Sequence, residues 1–308
     1  MDLLHDLLKH TGLQSRLLGH RSFHQPMALE FPCSRSIGFH VVTSGVAFIH
    51  TPDKTIRLER GDIALMARGQ NHIVSSEESL PKKLTSLKEF EKNPTLKGTP
   101  RLTIVSGAYQ FWNEPLHPLF TELPDWYVLK REALRPLDKL SLMLTLLSDE
   151  IQSQELGRER VIEGILDVMF SLIMRELVHS RAQKSESWSQ ASLDPSIRLA
   201  LECMHQDLEH NWSLEELAHK AGMSRANFAL KFKKTMGQTP LTYLTILRIQ
   251  SARDLLSRTD FSVETIAQKL GYQDPFAFSK AFKRLTQQSP RDFRRMDQES
   301  KGAEWRFR

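Results

Sequence analysis

Two segments near the C-terminal end of the 308-residue chain combine basic side chains with small and apolar ones at helical spacing. In each segment two phenylalanines lie four residues apart, and at about 100° per residue they mark a buried stripe. Lysine and arginine can donate hydrogen bonds to guanine or phosphate, and methyl groups can contact thymine. We therefore predict that the faces opposite these stripes contact a DNA major groove. Opposite Phe228 and Phe232 lie Arg225, Ala226, Asn227, Ala229, Leu230, Lys233 and Lys234, and opposite Phe278 and Phe282 lie Phe276, Ala277, Lys280, Lys283 and Arg284.

The two segments belong to an internal repeat. Residues 217–223 correspond to 266–272 at an offset of 49, and residues 228–234 and 237–243 correspond to 278–284 and 287–293 at an offset of 50. One residue has been inserted in the turn, and the rest is a duplication.

Each copy has the parts of a helix-turn-helix unit. These parts are an apolar residue to bury, a small residue that admits the second helix, a turn glycine with a left-handed backbone, and a cap for the second helix. In that order the pairs are Leu217/Ile266, Ala218/Ala267, Gly222/Gly271 and Ser224/Asp274. A match that is repeated with every part in register is far more specific than a single one.

The basic excess of the chain lies in the part that contains the repeat. The formal net charge is +5; residues 192–308 hold 19 Lys and Arg against 14 Asp and Glu, whereas residues 1–191 hold 23 of each. A single basic helix face could be an ordinary solvated surface. The repeat, the turn glycines and the segregated charge together favour a polyanion partner.

These residues resemble the AraC/XylS family of transcription regulators. Residues 212–218 (WSLEELA), 221–224 (AGMS) and 237–243 (GQTPLTY) are similar to its first unit, and residues 270–272 (LGY), 278–284 (FSKAFKR) and 289–294 (SPRDFR) to its second. The resemblance covers about residues 193–295. It implies a long joining helix at about Thr239–Arg258, and one recognition helix per unit, placed in successive major grooves about one turn apart.

The chain departs from the family pattern at two places. Gln287 stands where the family usually has glycine, which is expected to alter the last turn but not the groove contacts. Ala226, Ala229 and Leu230 make the first recognition face apolar. The first unit is then expected to read thymine methyl groups or DNA shape. Alternatively, it mainly positions the protein on the phosphate backbone of the DNA. The unit around Lys280, by contrast, has the features of a conventional groove reader.

The N-terminal part has a different texture. Leucines at helical spacing in residues 3–18 predict a short amphipathic helix. From about Met27 to Val74, β-forming runs separated by turn signals predict an antiparallel sandwich or barrel. The runs are 38–43, 46–50, 55–58 and 62–66, and residues 102–109 resume the sheet. The lysine-rich residues 81–100 predict an exposed loop.

Helical periodicity returns in two stretches of residues 137–179. These helices either pack on their own domain or form a dimer interface, because the second is apolar over a broad arc. The polar, serine-rich residues 181–192 predict a linker. Asp194 and Pro195 then predict an N-cap and a first helical residue, and helices are expected from there to Arg295.

The N-terminal half also resembles the cupin-type sensor domain of a subgroup of the same family, through residues 39–45, 58–62, 71–72, 107–111 and 116–124. The resemblance implies a small β-barrel and then helices that dimerise. We therefore predict an α+β chain of two domains. Its expected parts are a cupin-like β-barrel sensor domain (1–130), a helical dimerisation segment (131–180), a linker (181–192) and an all-α tandem helix-turn-helix domain (193–297).

His40 and His72 are the candidate ligand-binding residues of this barrel. Metal-dependent cupin enzymes use a His-x-His pair with a glutamate and a later histidine, and this sequence has no His-x-His pair, although His24, His50 and Glu30 are nearby. We predict hydrogen-bonded structural histidines or a ligand pocket, with no metal, no cofactor and no catalytic residue. Alternation along the strand leaves open whether His40 faces into the barrel.

The remaining features describe the setting. Two distant cysteines, Cys33 and Cys203, make no disulfide framework and fit a reducing cytoplasm. No apolar run approaches the roughly 18 to 20 residues of a membrane span.

We predict a cytoplasmic, homodimeric, non-enzymatic regulator whose partners are double-stranded DNA, a small-molecule effector and RNA polymerase, without a membrane. The alternatives are a metal-dependent cupin enzyme fused to a DNA-binding domain, and a ligand-free regulator whose barrel only dimerises.

Overall fold

The computed structural model describes residue 4 and residues 14–33, 36–92, 98–110, 119–120, 123–135, 138–182 and 194–301. The chain divides into two compact units. One contains residues 14–110 and 123–174, and the other contains the described residues beyond 174 together with residues 4 and 119–120. Strands dominate the first and helices the second, which confirms the predicted α+β class with two domains. The predicted bounds of the four parts stay a prediction.

In the N-terminal unit, ten described strands form two sheets of five. They are β1 (Gln14–Phe23), β2 (Ala28–Phe31), β3 (Ser36–Ser44), β4 (Val46–His50), β5 (Thr55–Glu59), β6 (Ile63–Met66), β7 (His72–Ser75), β8 (Thr85–Ser86), β9 (Leu102–Gln110) and β10 (Trp126–Leu129). One sheet has the order β1-β9-β3-β6-β10 and the other β5-β4-β7-β2-β8. The pairs are antiparallel except β2 with β8.

An amphipathic helix was predicted over residues 3–18, of which the structure describes residue 4 and residues 14–18. The prediction is wrong for residues 14–18. Residues 5–13 lie outside the described part, and residues 14–18 begin β1. This strand pairs with β9 from Gln14 opposite Gln110 to Phe23 opposite Leu102. Partners about 80 to 100 residues away supply hydrogen bonds that the local leucine spacing could not indicate.

The loop predicted over residues 81–100 is also wrong in part. Residues 85–86 form β8, and Leu87–Lys92 form a short helix, α1. Leu87 is buried in the core and Phe90 packs against Phe23, with ring centroids 5.9 Å apart. Two apolar side chains thus anchor a segment whose lysines suggested only exposure.

The core of this unit lies between the two sheets. Along β2 the alternation is clear, because Leu29 and Phe31 are buried while Glu30 between them is exposed. Phe23, Val42 and Ile49 join the same buried cluster. One face of each sheet is therefore apolar, as expected for strands of which one side is covered.

Two helices follow the strands, α2 (Lys139–Gln152) and α3 (Arg158–Ala182). The Tyr109 hydroxyl on β9 donates to Asp167 Oδ1 of α3 at 2.8 Å, and its ring stacks on Phe170 with centroids 4.1 Å apart. The inward face of α3 thus packs on its own sheet, one of the two alternatives considered above. No helix among the described residues combines the length and hydropathy needed to cross a membrane.

The C-terminal unit is helical. Its helices are α4 (Pro195–Gln206), α5 (Leu214–Lys220), α6 (Arg225–Met236), α7 (Pro240–Arg258), α8 (Val263–Lys269), α9 (Pro275–Thr286) and α10 (Pro290–Lys301). Asp194 caps α4 through its side chain, and Pro195 is the first helical residue, as predicted. The predicted joining helix is α7, with Thr239 as its cap.

Candidate nucleic-acid interface

The first helix-turn-helix unit consists of α5 and α6. A capping box fixes the start of α5, since the Ser213 hydroxyl accepts from Glu216 N at 3.1 Å and the Glu216 carboxylate accepts from Ser213 N at 2.8 Å. Gly222 has φ 66°, so the turn takes the predicted left-handed backbone. The Ser224 hydroxyl then accepts from Asn227 N at the start of α6.

The second unit consists of α8 and α9 and repeats these devices. Gly271 has φ 71° in the turn. The Asp274 carboxylate accepts from Phe276 N at 2.9 Å and from Ala277 N at 3.1 Å. Pro275 follows as the first helical residue, where its missing N–H costs nothing. The predicted caps and turns are thus present in both units.

Buried aromatic rings hold α6 and α9 at equivalent positions. Phe228, Phe232, Phe278 and Phe282 are fully buried. Phe232 packs edge-on against Tyr243 of α7, and Phe282 packs in the same way against Phe293 of α10, with centroids 5.9 Å and 5.8 Å apart. Each of these two helices is therefore anchored along one face, and its opposite face is exposed to solvent.

The exposed faces carry the predicted contact residues. Eleven of these twelve side chains are exposed and Ala229 is half-buried. Leu230 is 71% exposed and Phe276 is 84% exposed, although burial is the usual state of such side chains. An exposed apolar side chain on the same helix face as exposed lysines can contact a ligand that offers both methyl groups and negative charge.

Two ion pairs at this surface were not predicted from the sequence. Arg225 pairs with Glu215 of α5 at 2.9 Å. Lys231 pairs with Asp194, the cap of α4, at 2.6 Å. A phosphate near Arg225 would compete with Glu215 for the guanidinium. The Arg225–Glu215 pair could not be predicted from sequence spacing, because the two side chains meet only where the turn brings α5 and α6 together.

Gln287 ends α9 in a left-handed conformation with φ 63°, which no other non-glycine residue adopts among the described residues. Its side-chain amide donates to the Arg284 carbonyl at 3.1 Å. Gly237 takes φ 69° at the equivalent end of α6. Gln287 therefore follows the backbone path that glycine takes in the first unit, and its own left-handed conformation is strained.

The N-terminal barrel places His40 and His72 in direct contact. Their Nε2 atoms are 2.8 Å apart. His40 Nδ1 lies 2.8 Å from the Ser106 hydroxyl on the neighbouring strand, and His72 Nδ1 lies 2.8 Å from the Gln70 carbonyl. Both histidines are buried and face the interior, which answers the question of where His40 points.

Burial sets the protonation of this pair. It lowers the pKa of His72 to about 4, and it lowers the pKa of His40 well below its ordinary value, with the neighbouring His72 and Arg21 adding to the effect. Both rings are therefore neutral at pH 7. A neutral pair can share one N–H···N hydrogen bond across the two sheets.

The histidine pair does not fit a metal centre of the cupin enzymes. All four ring nitrogens have partners. Glu30 is exposed on β2, and His50 bonds to the Ser75 hydroxyl. Within the ranges that the structure describes, no three His, Cys, Asp or Glu side chains are grouped to hold a metal ion.

Sequence reasoning missed the residues that surround the pair. Phe31 stacks on His72 with centroids 5.2 Å apart, and the Trp126 ring lies 4.8 Å from that of His72 while its Nε1 donates to the Gln70 side chain at 2.6 Å. Ser106 stands opposite His40 in the strand register. Alternation in residues 102–109 was the available signal for Ser106.

The two cysteines are free thiols. Burial raises the pKa of Cys33 to about 12, so this thiol stays protonated.

Comparison with known proteins gives matches over both parts of the chain. A model of the cupin family matches residues 2–179, and a helix-turn-helix domain model matches residues 217–296. An uncharacterized HTH-type transcriptional regulator of Haemophilus influenzae is 28% identical over 263 residues, which cover 83% of this chain and 85% of that protein. A putative AraC-like transcription regulator of Streptomyces lividans is 26% identical over 301 residues, covering 96% of this chain and 98% of that protein.

Among solved structures, the DNA-binding domain of AdpA in complex with a target DNA is similar. It is 29% identical, with a TM-score of 0.34, and the match covers 36% of this chain and 98% of that domain.

Proposed function

Since this chain belongs to the AraC family of helix-turn-helix transcription regulators, with a cupin domain in its N-terminal part, we propose that it reads DNA with the exposed faces of α6 and α9. The proposed contact residues are the twelve on these two faces. Each helix enters one of two successive major grooves.

The observation that carries this proposal is the combination of anchoring and exposure on each helix. Phenylalanines fix one side of α6 and α9, and caps fix their first turns. The other side presents Lys233 and Lys234 in the first unit and Lys283 and Arg284 in the second, near the helix ends. Basic groups at a helix end can pair with phosphates while earlier residues reach base edges.

Binding by the full-length protein tests the proposal. A duplex selected from a random library, and a scrambled duplex, would be titrated at several salt concentrations. The double change Lys283→Ala and Arg284→Ala should weaken binding to both duplexes and lower the salt slope by about two, one for each phosphate contact. The exposed Lys54 on the β4–β5 turn supplies a matched control, Lys54→Ala, with no expected effect. An unchanged salt slope in the double variant would contradict the assignment.

We also propose that the protein is a homodimer held by the outer faces of α2 and α3. Leu142 and Leu146 lie one turn apart on α2 and are 44% and 50% exposed, and Val161 and Val168 lie two turns apart on α3 and are 47% and 48% exposed. Aligned apolar side chains of this kind mark an association surface. A second copy would bury them.

Sedimentation of full-length variants tests the dimer. Leu146→Glu should give a monomer at concentrations where the wild-type protein is a dimer, because a charge on this face would be buried without a partner. Leu156→Glu, at a fully exposed leucine in the turn between α2 and α3, is the matched control. Dimers of equal stability in both variants would place the interface elsewhere.

We further propose that a signal acting on the barrel or its helices changes the spacing or freedom of the two DNA-binding units of the dimer. A thermal-shift screen with small molecules tests this, because a ligand of the folded state raises the melting temperature by mass action. No shift across a broad panel would favour a barrel that only dimerises. Stoichiometric iron, manganese or zinc in the purified protein would favour the metal-enzyme alternative.

RNA polymerase is the remaining proposed partner. Transcription in vitro from a template that carries the selected site would show whether the bound regulator raises or lowers the output of the polymerase. An output that does not respond to the regulator would argue against this partner.

A further inference from the structure

Arg248 lies near the middle of α7, the helix that joins the two helix-turn-helix units, and its side chain is turned inward. It is only 8% exposed. Its hydrogen-bond partners are main-chain carbonyls, since Nε donates to Leu208 O at 3.0 Å and Nη2 donates to His210 O at 2.8 Å. Both carbonyls belong to the loop between α4 and α5. The guanidinium therefore connects the joining helix to the first unit.

The same guanidinium contacts the second unit. Its central carbon lies 5.5 Å from the centroid of the Tyr272 ring, next to the turn between α8 and α9. A Cβ at Gly271 would collide with the Arg248 guanidinium and with the Glu209 carbonyl. The turn of the second unit thus lies against the loop of the first, with Arg248 between them. Glycine is needed at this place both for its close approach and for its positive φ.

The loop that receives Arg248 is itself well fixed. The Asp207 side chain accepts from His210 N at 2.9 Å, and the Asp207 carbonyl accepts from Trp212 Nε1 at 2.9 Å. The rings of His210 and Trp212 pack with centroids 4.2 Å apart. Ser213 then begins the capping box of α5. A shift of this loop would therefore move α5 and, through the turn, the recognition helix α6.

Planar fork geometry makes arginine suited to this position. Arginine can donate in two directions within one plane and stack its face on an aromatic ring, whereas lysine offers a single point charge. Burial lowers the pKa of Arg248 from its ordinary value, so placing a cation here has a cost that the contacts must offset. Because the buried guanidinium contacts two carbonyls and a ring, it fixes the loop between α4 and α5 relative to the turn between α8 and α9.

We propose that Arg248 is a positioning residue that fixes the spacing and angle of the two recognition helices, so that the protein discriminates between DNA sites by the distance between their two half-sites. This inference rests on the proposed binding of DNA by α6 and α9. One inserted base pair rotates the second half-site by about 35°, so a rigid protein cannot satisfy both grooves at the altered spacing.

The test uses full-length protein and a duplex selected by the wild type from a random library. Its two half-sites are mapped by footprinting and resynthesised with one base pair added or removed between them. The wild type should bind the altered duplexes about tenfold more weakly or worse, equivalent to the loss of one base contact. The spacing ratio is the affinity for the selected duplex divided by the affinity for a duplex with altered spacing. Arg248→Lys should reduce this ratio to about threefold or less, while the affinity of the variant for a scrambled duplex stays at the wild-type value. Arg258→Lys, at an exposed arginine of the same helix, should keep the wild-type ratio.

Several outcomes separate this role from a merely structural one. If Arg248→Lys binds every duplex more weakly but keeps the wild-type spacing ratio, the residue only stabilises the fold and the proposal is overturned. A wild-type protein without any spacing preference overturns it as well. If the wild type selects no duplex over the scrambled one, the proposed function fails first. Tyr272→Leu removes the ring and keeps both carbonyl bonds, so a reduced ratio in this variant supports the proposal even where Arg248→Lys fails to fold.

Discussion

The two helix-turn-helix units agree in what they bury and differ in what they expose. Phe228 and Phe232 in the first unit match Phe278 and Phe282 in the second, and all four are fully buried. At the exposed positions, which are 50 residues apart, Ala226 corresponds to Phe276, and Leu230 corresponds to Lys280.

Packing determines the buried half, so the duplication kept it. The core does not constrain the exposed half, and there the two units differ. The first unit puts its large apolar side chain in the middle of the helix, and the second puts it in the first turn. The two units are therefore expected to read different bases with the same fold.

The largest effects should come from the buried half, and they should be equal in the two units. Phe232→Ala and Phe282→Ala should each lower the free energy of unfolding by about 3–5 kcal/mol, because each leaves a cavity under its recognition helix. Hydrogen exchange of the amides of α6 and α9 in the full-length protein reports the loss in each unit.

Phe276→Ala supplies the control, since this phenylalanine lies on α9 but is 84% exposed. It should change the stability by less than about 0.5 kcal/mol. Unequal losses in the two cavity variants would mean that one unit depends more heavily on its core, and the equivalence of the buried halves would be lost.

The next effect distinguishes the exposed halves. Lys280→Ala should weaken binding to the selected duplex by about 1–3 kcal/mol with little change on a scrambled duplex, as expected for a side chain that reads a base. The equivalent change in the first unit, Leu230→Ala, removes no charge and should leave the salt slope of the affinity unchanged. Titrations at several salt concentrations measure both quantities.

A contact from Lys280 to phosphate alone would give a different result. The loss would then be similar on all sequences, and the salt slope would fall by about one. Unchanged affinity and an unchanged salt slope would remove Lys280 from the interface.

A smaller effect tests whether the two apolar side chains contact thymine methyl groups. Replacing a contacted thymine by deoxyuridine should weaken binding by about 0.8 kcal/mol, the value of one buried methyl-sized group. The loss should disappear in Leu230→Ala for a base in the first half-site, and in Phe276→Ala for a base in the second. A loss that persists in both variants would show that neither side chain touches the methyl group.

How much could be predicted from the sequence also differs between regions of the molecule. In the C-terminal unit, caps and turn glycines are local signals. Ser224 and Asp274 bond to amides two or three residues away, and Gly222 and Gly271 supply the positive φ of their own turns. The caps and turns were predicted from these local signals, and the buried stripes from the spacing of the phenylalanines. The Arg225–Glu215 pair was not predicted, since it depends on how two helices meet.

In the barrel the decisive contacts are long-range. His40 and His72 are 32 residues apart and meet only because their strands lie in facing sheets. Residues 14–18 form a strand because β9 pairs with them, although their leucines repeat at helical spacing. Strand alternation gave two faces for His40 and no means to choose between them. The choice depends on the other sheet, which local sequence does not describe.

A similarly small effect, on stability and not on binding, concerns the ends of α6 and α9. Gln287 and Gly237 have nearly the same backbone, with φ 63° and 69°, but only glycine adopts it without strain. Gln287→Gly should raise the free energy of unfolding by about 0.5–1 kcal/mol, because relief of strain exceeds the entropy lost with glycine and the side-chain bond to Arg284. Gly237→Ala should lower it by a similar amount or more.

Urea unfolding of the full-length variants, with the affinity for the selected duplex measured alongside, tests both changes. The affinity should stay the same in each, since neither residue lies on a recognition face. A lower stability of Gln287→Gly would mean that the bond from the Gln287 amide to the Arg284 carbonyl outweighs the strain. The second unit would then hold the end of its helix by a side chain, where the first relies on glycine.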